Sequence, residues 1–283
     1  MSGREVVVAP ARARRPGAGR AAIEPPSADE LESCPFCEGR EDRTPPESFA
    51  VAPAGRAPDT PGWSVRVVPN LYPALERQEV VVSTPRHARS LAELDDAELA
   101  SVAEAWRARA GTAAEEGFGY VQALLNEGRD AGASLPHAHT QLAWLRDVPP
   151  AVAAERTRVG DCGVCELVAA GENVVVERGG LVVIAHPAGR LPYELLIAPG
   201  EHEPDGFGDG LGAALALLAD AIRRLHAAIG GPVPLNAWLH TGGHWHVELL
   251  PRLTVMAGLE LGAGIYVNAV APEDAAAALR DAV

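Results

Sequence analysis

Hydrophobic and polar positions alternate over several short stretches of this chain and follow a helical period over a few longer ones. Alternation is typical of half-buried strands, whereas apolar residues three and four positions apart indicate an amphipathic helix. Strands are predicted at residues 5–9, 65–68, 79–83, 120–125, 139–145, 173–177, 182–185, 194–198, 235–240 and 244–250. Helices are predicted at 95–116, 211–229 and 272–282, with a short helix after Cys162. The pattern favours an α+β fold with mostly antiparallel sheets.

The predicted elements recur in similar order on either side of a proline pair, Pro149-Pro150. A chain of 283 residues, 47% of them hydrophobic, can bury one large or two modest cores. We therefore expect two similar halves, 1–150 and 151–283. The Pro- and Gly-rich stretch 45–61 is expected to be a long surface loop.

Cysteines and histidines repeat in one order in both halves. Each half has a Cys-x-x-Cys pair, then a single histidine, then a His-x-His pair: Cys34, Cys37, His87, His137 and His139 in the first, and Cys162, Cys165, His202, His244 and His246 in the second. Paired thiolates and imidazoles suit tetrahedral zinc. Disulfides are disfavoured because we find no signal segment and only two residues within each pair.

Charge and composition exclude several classes of function. The formal charge of −14 argues against a general nucleic-acid binder, which needs clustered cations. All 24 basic residues are arginine, so lysine Schiff bases and a phosphate-loop lysine are excluded. No apolar run is long enough to span a bilayer, and we expect a cytoplasmic protein.

The segment His137-Ala-His139-Thr-Gln141 concentrates the candidate chemistry. If it is a strand, these two histidines and Gln141 point to one face. One histidine could complete a tetrahedral set with Cys34, Cys37 and His87, leaving the other as a nucleophile toward phosphorus. The alternative is the solvated face of an edge strand.

The stretch 126–141 resembles the active-site segment of the galactose-1-phosphate uridylyltransferase family, a transferase branch of the histidine-triad superfamily with a His-x-His-x-Gln signature. Further segments are similar to that family, in its order: 9–16, 34–37, 68–75, 84–87, 244–253 and 258–268. The resemblance implies two tandem histidine-triad-like half-domains. It also implies a homodimer.

The resemblance implies nucleotidyl transfer in two steps. His139 would attack the α-phosphorus of UDP-glucose, expel glucose 1-phosphate and carry the uridylyl group until galactose 1-phosphate accepts it. Gln141 would donate a hydrogen bond to a phosphate oxygen in the transition state. His137 would ligate zinc and hold the nucleophile in place.

Seven residues match family positions that contact substrate: Arg12, Arg15, Asn70, Asn126, Gly132, Ala133 and Ser134. Arginine forks bind phosphate well, and the glycine–alanine–serine segment would reach phosphate through backbone amides and the Ser134 hydroxyl. The alternatives are a solvated basic tail for the arginines, and turns or caps for the others.

The second cysteine–histidine set is expected to hold a structural zinc through Cys162, Cys165, His202 and His244, or through three of these and a water. His246 occupies the position equivalent to the nucleophile, but Glu248 replaces the glutamine, so we interpret His246 as vestigial or structural. His186, His226 and His240 are expected to be core or surface residues.

The sequence leaves the substrate open. The segment 258–264 lacks the lysine that some family members use to hold the hexose. The resemblance also implies an alternative to the uridylyltransferase, because a related branch of the family acts as an ADP-glucose phosphorylase, which would make this chain an adenylyltransferase. A rival of another class is a zinc-stabilised binding protein that forms no covalent adduct.

Overall fold

The computed structural model describes residues 5–14, 25–156 and 162–282. Its strands are β1 Glu5–Val8, β2 Phe49–Val51, β3 Val65–Pro69, β4 Arg77–Val82, β5 Tyr120–Glu127, β6 His139–Leu145, β7 Val174–Arg178, β8 Leu181–Ala185, β9 Leu195–Pro199, β10 Leu235–His240, β11 His246–Pro251 and β12 Ile265–Asn268. Its α-helices are α1 Ala28–Ser33, α2 Asp96–Glu115, α3 Pro150–Arg156, α4 Gly163–Ala170, α5 Leu211–Ile229, α6 Gly258–Ala263 and α7 Pro272–Asp281. In these ranges no helix combines the length and apolar character needed to cross a membrane.

The chain divides into two compact units. The first unit comprises residues 25–150 and 207–219, and the second unit comprises the described residues of 5–14, 151–206 and 220–282. Helix α5 begins in the first unit and ends in the second. The functional halves 1–150 and 151–283 stay a prediction.

In the first unit, five antiparallel strands lie in the order β2-β3-β4-β6-β5. Strand β6 lies between β4 and β5, with Val82 of β4 opposite His139 and Val80 opposite Gln141. Helix α2 starts with a capping box between Asp95 and Glu98, which satisfies backbone donors at its first turn. Its buried side chains pack against β3 and β5.

Two polar contacts fix α2 to the buried side of this sheet. The Trp106 indole donates to the Thr140 hydroxyl at 2.8 Å, and the Arg109 guanidinium forks onto the Glu79 carboxylate at 2.8 and 2.9 Å. Thr140 therefore faces α2. Because side chains alternate along a strand, His139 and Gln141 face the opposite side, as the sequence predicted.

In the second unit, antiparallel strands lie in the order β10-β11-β9-β8-β7. Helix α7 packs against β7 and β8. A separate parallel pair joins the two ends of the described chain: Glu5 of β1 lies opposite Ile265 of β12, and Val8 lies opposite Asn268.

The expected α+β class with antiparallel sheets is confirmed, and the differences are local. Strand β2 lies within the stretch expected to be a loop. Pro150, expected to mark a break, is the first residue of α3, where its missing N–H costs nothing. Strand β6 begins at His139, so His137 precedes the strand instead of lying on it, and His244 likewise precedes β11.

Candidate functional site

Four predicted ligands meet in the first unit: Cys34, Cys37, His87 and His137. The Sγ of Cys34 lies 3.4 Å from Nδ1 of His137, and the Sγ of Cys37 lies 3.4 Å from Nδ1 of His87. Bond lengths of ~2.3 Å to sulfur and ~2.0–2.1 Å to nitrogen in a tetrahedron would place S and N about 3.6 Å apart. The donor atoms therefore fit a single tetrahedral ion of the size of zinc.

The outer nitrogens of both imidazoles are oriented by acceptors. Nε2 of His137 donates to the Thr84 carbonyl at 3.0 Å, and Nε2 of His87 donates to the Glu30 carboxylate at 2.9 Å. The ion pair with Arg89 lowers the pKa of Glu30 despite its partial burial. Because the outer nitrogens carry the protons, both Nδ1 lone pairs face the thiols, as metal ligation requires.

Local structure explains how the cysteines reach this position. Cys34 is the C-cap residue of helix α1, and the Arg40 guanidinium donates to the carbonyls of Leu31 at 2.7 Å and of Cys34 at 2.9 Å. Burial, followed by the charge of Cys34, raises the pKa of Cys37 to about 11. Two neighbouring thiols in this environment would ionise readily only beside a cation.

His139 is not part of this ligand set, although it is close to it. Its Nδ1 lies 2.6 Å from the carbonyl oxygen of His137, which can only accept, so Nδ1 carries the proton. Burial lowers the pKa of His139, which is 6% exposed, and favours the neutral ring. The lone pair of the neutral ring is then on Nε2. Phe36 packs edge-on against this ring, with centroids 5.4 Å apart.

The two asparagines predicted to contact substrate, Asn126 and Asn70, lie in different settings. Asn126 is half-buried on β5, on the face that Leu124 shares with Gln141. Asn70 directly follows β3, and its Oδ1 accepts from the Tyr72 N–H at 2.9 Å, the role of a turn residue.

In the turn before His137, backbone N–H groups are already hydrogen-bonded to carbonyls of the same turn. Gly132 is left-handed (φ 91°), its N–H donates to the Arg129 carbonyl, and the Ala133 N–H donates to the Gly128 carbonyl. Both amides would have to leave these bonds to reach a phosphate. Ser134 is exposed in the same turn.

In the second unit, Arg12 is exposed in a 3₁₀ turn, Pro10–Arg14, and Arg15 lies outside the described residues.

The second predicted ligand set also meets, in the second unit: Cys162, Cys165, His202 and His244. The Sγ of Cys165 lies 3.4 Å from Nδ1 of His202 and 3.2 Å from Nδ1 of His244. Nε2 of His244 donates to the Pro199 carbonyl at 3.0 Å, repeating the arrangement at His137. His202 is exposed, whereas His87 is half-buried, so this set is more open to solvent.

His246 repeats the backbone contact of His139 but not its electrostatics. Its Nδ1 donates to the His244 carbonyl at 3.0 Å, and its Nε2 lies 3.9 Å from the Glu248 carboxylate. Burial alone would lower the pKa of His246, but the Glu248 carboxylate, the His244 carbonyl and, least, Glu155 together offset it, and the pKa is raised. A proton held on Nε2 removes the lone pair that a nucleophile needs.

Sequence reasoning missed a third group of polar side chains. Glu155, His240, His246 and Glu248 bring their donor atoms within 4.8 Å of one another and could hold a cation. Nδ1 of His240 lies 2.9 Å from the Glu155 carboxylate, so this histidine does have a partner. The group lines a cavity of about 380 Å³ in the second unit. Eighty-five residues separate Glu155 from His240, and no local motif signals the pair.

Known proteins resemble this chain over most of its length. The family model "Galactose-1-phosphate uridyl transferase, N-terminal domain" matches residues 73–150. An ADP-glucose phosphorylase from Arabidopsis thaliana is 30% identical over 99% of this chain and 91% of its own length. A galactose-1-phosphate uridylyltransferase from Thermotoga maritima is 26% identical over 72% of this chain and 73% of its own length.

A solved structure agrees with these matches. The crystal structure of an ADP-glucose phosphorylase from Arabidopsis thaliana with bound ADP-glucose superimposes with a TM-score of 0.82 at 30% identity, covering 98% of this chain and 94% of that one. The nearly full-length sequence match and the shared fold lead to one conclusion. The chain belongs to the galactose-1-phosphate uridylyltransferase-like family of nucleotidyltransferases.

Proposed function

We propose that this protein is an ADP-glucose phosphorylase-type adenylyltransferase that carries the adenylyl group on Nε2 of His139. The observation that carries the proposal is the state of His139: its Nδ1 proton is donated to the His137 carbonyl, and its ring lies beside the ligand set without belonging to it. A neutral imidazole held in one orientation is a competent nucleophile.

The steps balance as two displacements at phosphorus. Nε2 of His139 attacks the α-phosphorus of ADP-glucose, and the bond to the glucose 1-phosphate oxygen breaks. An oxygen of inorganic phosphate then attacks the same phosphorus, the N–P bond breaks, and ADP leaves with the imidazole neutral again. The Gln141 amide donates to a non-bridging oxygen as charge develops, a contact worth roughly 3 kcal/mol when preorganised.

The choice of an adenylyl donor rests on the relatives. An ADP-glucose phosphorylase matches nearly the whole chain at 30% identity, and its solved structure holds ADP-glucose. The sequence alone favoured UDP-glucose and galactose 1-phosphate. That uridylyltransferase reaction remains the second candidate because of the family model and the Thermotoga maritima relative.

We also propose that both cysteine–histidine sets hold zinc, with one ion bound by Cys34, Cys37, His87 and His137 and another by the second set. Zinc would supply rigidity to the segment before β6 and not redox chemistry, because it has no accessible second oxidation state. The homodimer and the cytoplasmic location stay predictions.

Covalent labelling tests the function. The protein is mixed with ADP-glucose or UDP-glucose carrying ³²P at the α-position, and acid-labile label on the protein is counted. We expect ADP-glucose to label at least ~10-fold faster than UDP-glucose, the discrimination of about 1.4 kcal/mol. Phosphate should then release the label as ADP. Faster labelling by UDP-glucose with release by galactose 1-phosphate would favour the uridylyltransferase, and no label from either would support the non-catalytic binding protein.

A Gln141→Glu variant should acquire the electrostatics found at His246. A carboxylate two residues along the strand would raise the pKa of His139, as Glu248 does for His246. The neutral ring would then form only at higher pH, and the donor to phosphate would be lost. We expect labelling at pH 7 to fall ~100-fold and its pH optimum to move to higher pH. Gln141→Ala is the matched control: it loses the donor without the alkaline shift.

A further inference from the structure

The side-chain amide of Gln141 is bonded to that of a second glutamine, Gln78. The Nε2 of Gln78 donates to Oε1 of Gln141 at 2.8 Å. Gln78 lies on β4, two residues before Val80, which is directly opposite Gln141 on β6. The contact is therefore built into the register of two adjacent strands.

A backbone N–H group determines which way the side-chain amide of Gln78 is turned. The backbone N–H of Ala74 donates to Oε1 of Gln78 at 3.0 Å. A backbone N–H can meet only the oxygen of an amide, so the NH₂ group of Gln78 faces Gln141. Gln141 must present its oxygen in return. Its own NH₂ group is then on the other side of the amide.

The loop that carries Ala74 is itself tied to the start of β4. The Asn70 N–H donates to the Gln78 carbonyl at 2.8 Å, and Oδ1 of Asn70 accepts from the Tyr72 N–H at 2.9 Å. Gln78 is thus held through both its backbone and its side chain. A glutamine on a strand edge without such contacts would exchange between two amide orientations.

We propose that Gln78 is a positioning residue for phosphoryl transfer, which keeps the NH₂ group of Gln141 directed toward the oxygens of the reacting phosphate. This inference rests on the proposed function. In the opposite orientation, Gln141 would present oxygen lone pairs to an anionic phosphate. Donors that are oriented before the reaction need no reorganisation in the transition state. The series of hydrogen bonds from Ala74 through Gln78 to Gln141 therefore raises the rate, although Gln78 does not touch the substrate.

A double-mutant cycle tests whether Gln78 acts through Gln141. Gln78→Met keeps the volume and adds no charge, and it should lower the single-turnover rate of His139 labelling ~3–10-fold with the KM for the nucleotide sugar unchanged. In a Gln141→Ala background the same change should alter the rate less than ~2-fold. Equal losses in both backgrounds, or no loss in the wild type, would overturn the proposal.

Gln78→Glu supplies a second variant that preserves the local contacts. A carboxylate still accepts from the Ala74 N–H, so thermal unfolding should be close to that of the wild type. It cannot donate, however, and it should draw the NH₂ group of Gln141 toward itself. We expect a labelling rate ~30-fold or more below the wild type. A Gln78→Glu rate equal to that of Gln78→Met would contradict the orientation argument.

A spectroscopic readout separates this proposal from the proposed function. The chain has three glutamines, at positions 78, 122 and 141. With ¹⁵N-glutamine labelling, Gln78→Met should remove one side-chain amide pair and shift that of Gln141. If the wild type shows no covalent label but this shift occurs, the enzyme assignment fails and the contact stands. If the wild type labels and Gln141 does not shift, the positioning proposal alone fails.

Discussion

Replacing His139 with glycine should abolish covalent labelling by any nucleotide sugar, with turnover reduced by about 10³-fold or more. The change removes the nucleophile without removing any atom of the two cysteine–histidine sets. Metal content, measured by mass spectrometry, should therefore equal that of the wild type. The expected loss is in the formation of the adduct and not in the fold.

His246→Gly is the matched control, because His246 makes the same backbone contact after the second ligand set. Its Nε2 faces Glu248, so we expect the variant to retain a covalent adduct with the wild-type stoichiometry. If the His246→Gly variant lost the label and the His139→Gly variant kept it, the nucleophile would lie in the second unit. Label kept in both would mean that another residue carries the nucleotide.

The second large effect is expected from Cys34→Ala. Cys34 is 5% exposed and contributes a thiol to the buried ligand set. The variant should lose one equivalent of metal, and the free energy of unfolding should fall by about 3 kcal/mol or more, since structural zinc can contribute ~10 kcal/mol to folding. Labelling should fall as well, because His137, a proposed metal ligand, also holds the His139 ring through its backbone carbonyl.

Cys165→Ala is the comparison for that experiment. It breaks the second set, in which His202 is exposed, and we expect loss of one equivalent of metal with a smaller destabilisation of ~1–2 kcal/mol. Chemical denaturation followed by circular dichroism, together with metal analysis, measures both quantities. A Cys34→Ala protein with unchanged metal content and stability would contradict the assignment of the first set.

The parts of the site that could be predicted from sequence are those encoded by residue type and order. Thiols and imidazoles repeated in one order predicted two ligand groups, and both groups do come together. The alternation around His139 predicted which side chains share a face of β6. These signals are local, or are repeated in the chain, and need no knowledge of strand pairing.

The parts that could not be predicted depend on tertiary contacts. Gln78 was placed outside the predicted strand 79–83, and its bond to Gln141 exists only in the observed register of β4 and β6. Glu155 and His240 meet across 85 residues, and both are ordinary in their local sequence.

The parallel pairing of β1 with β12 has a consequence for how the chain is made. During synthesis, Glu5–Val8 is made before its partner strand, which follows roughly 250 residues later, about 10–50 s at ~5–20 residues per second. Until then the early strand exposes an unsatisfied edge. Nascent chains stalled before residue 265 should consequently bind holdase chaperones through this segment, and release from the ribosome should end that binding.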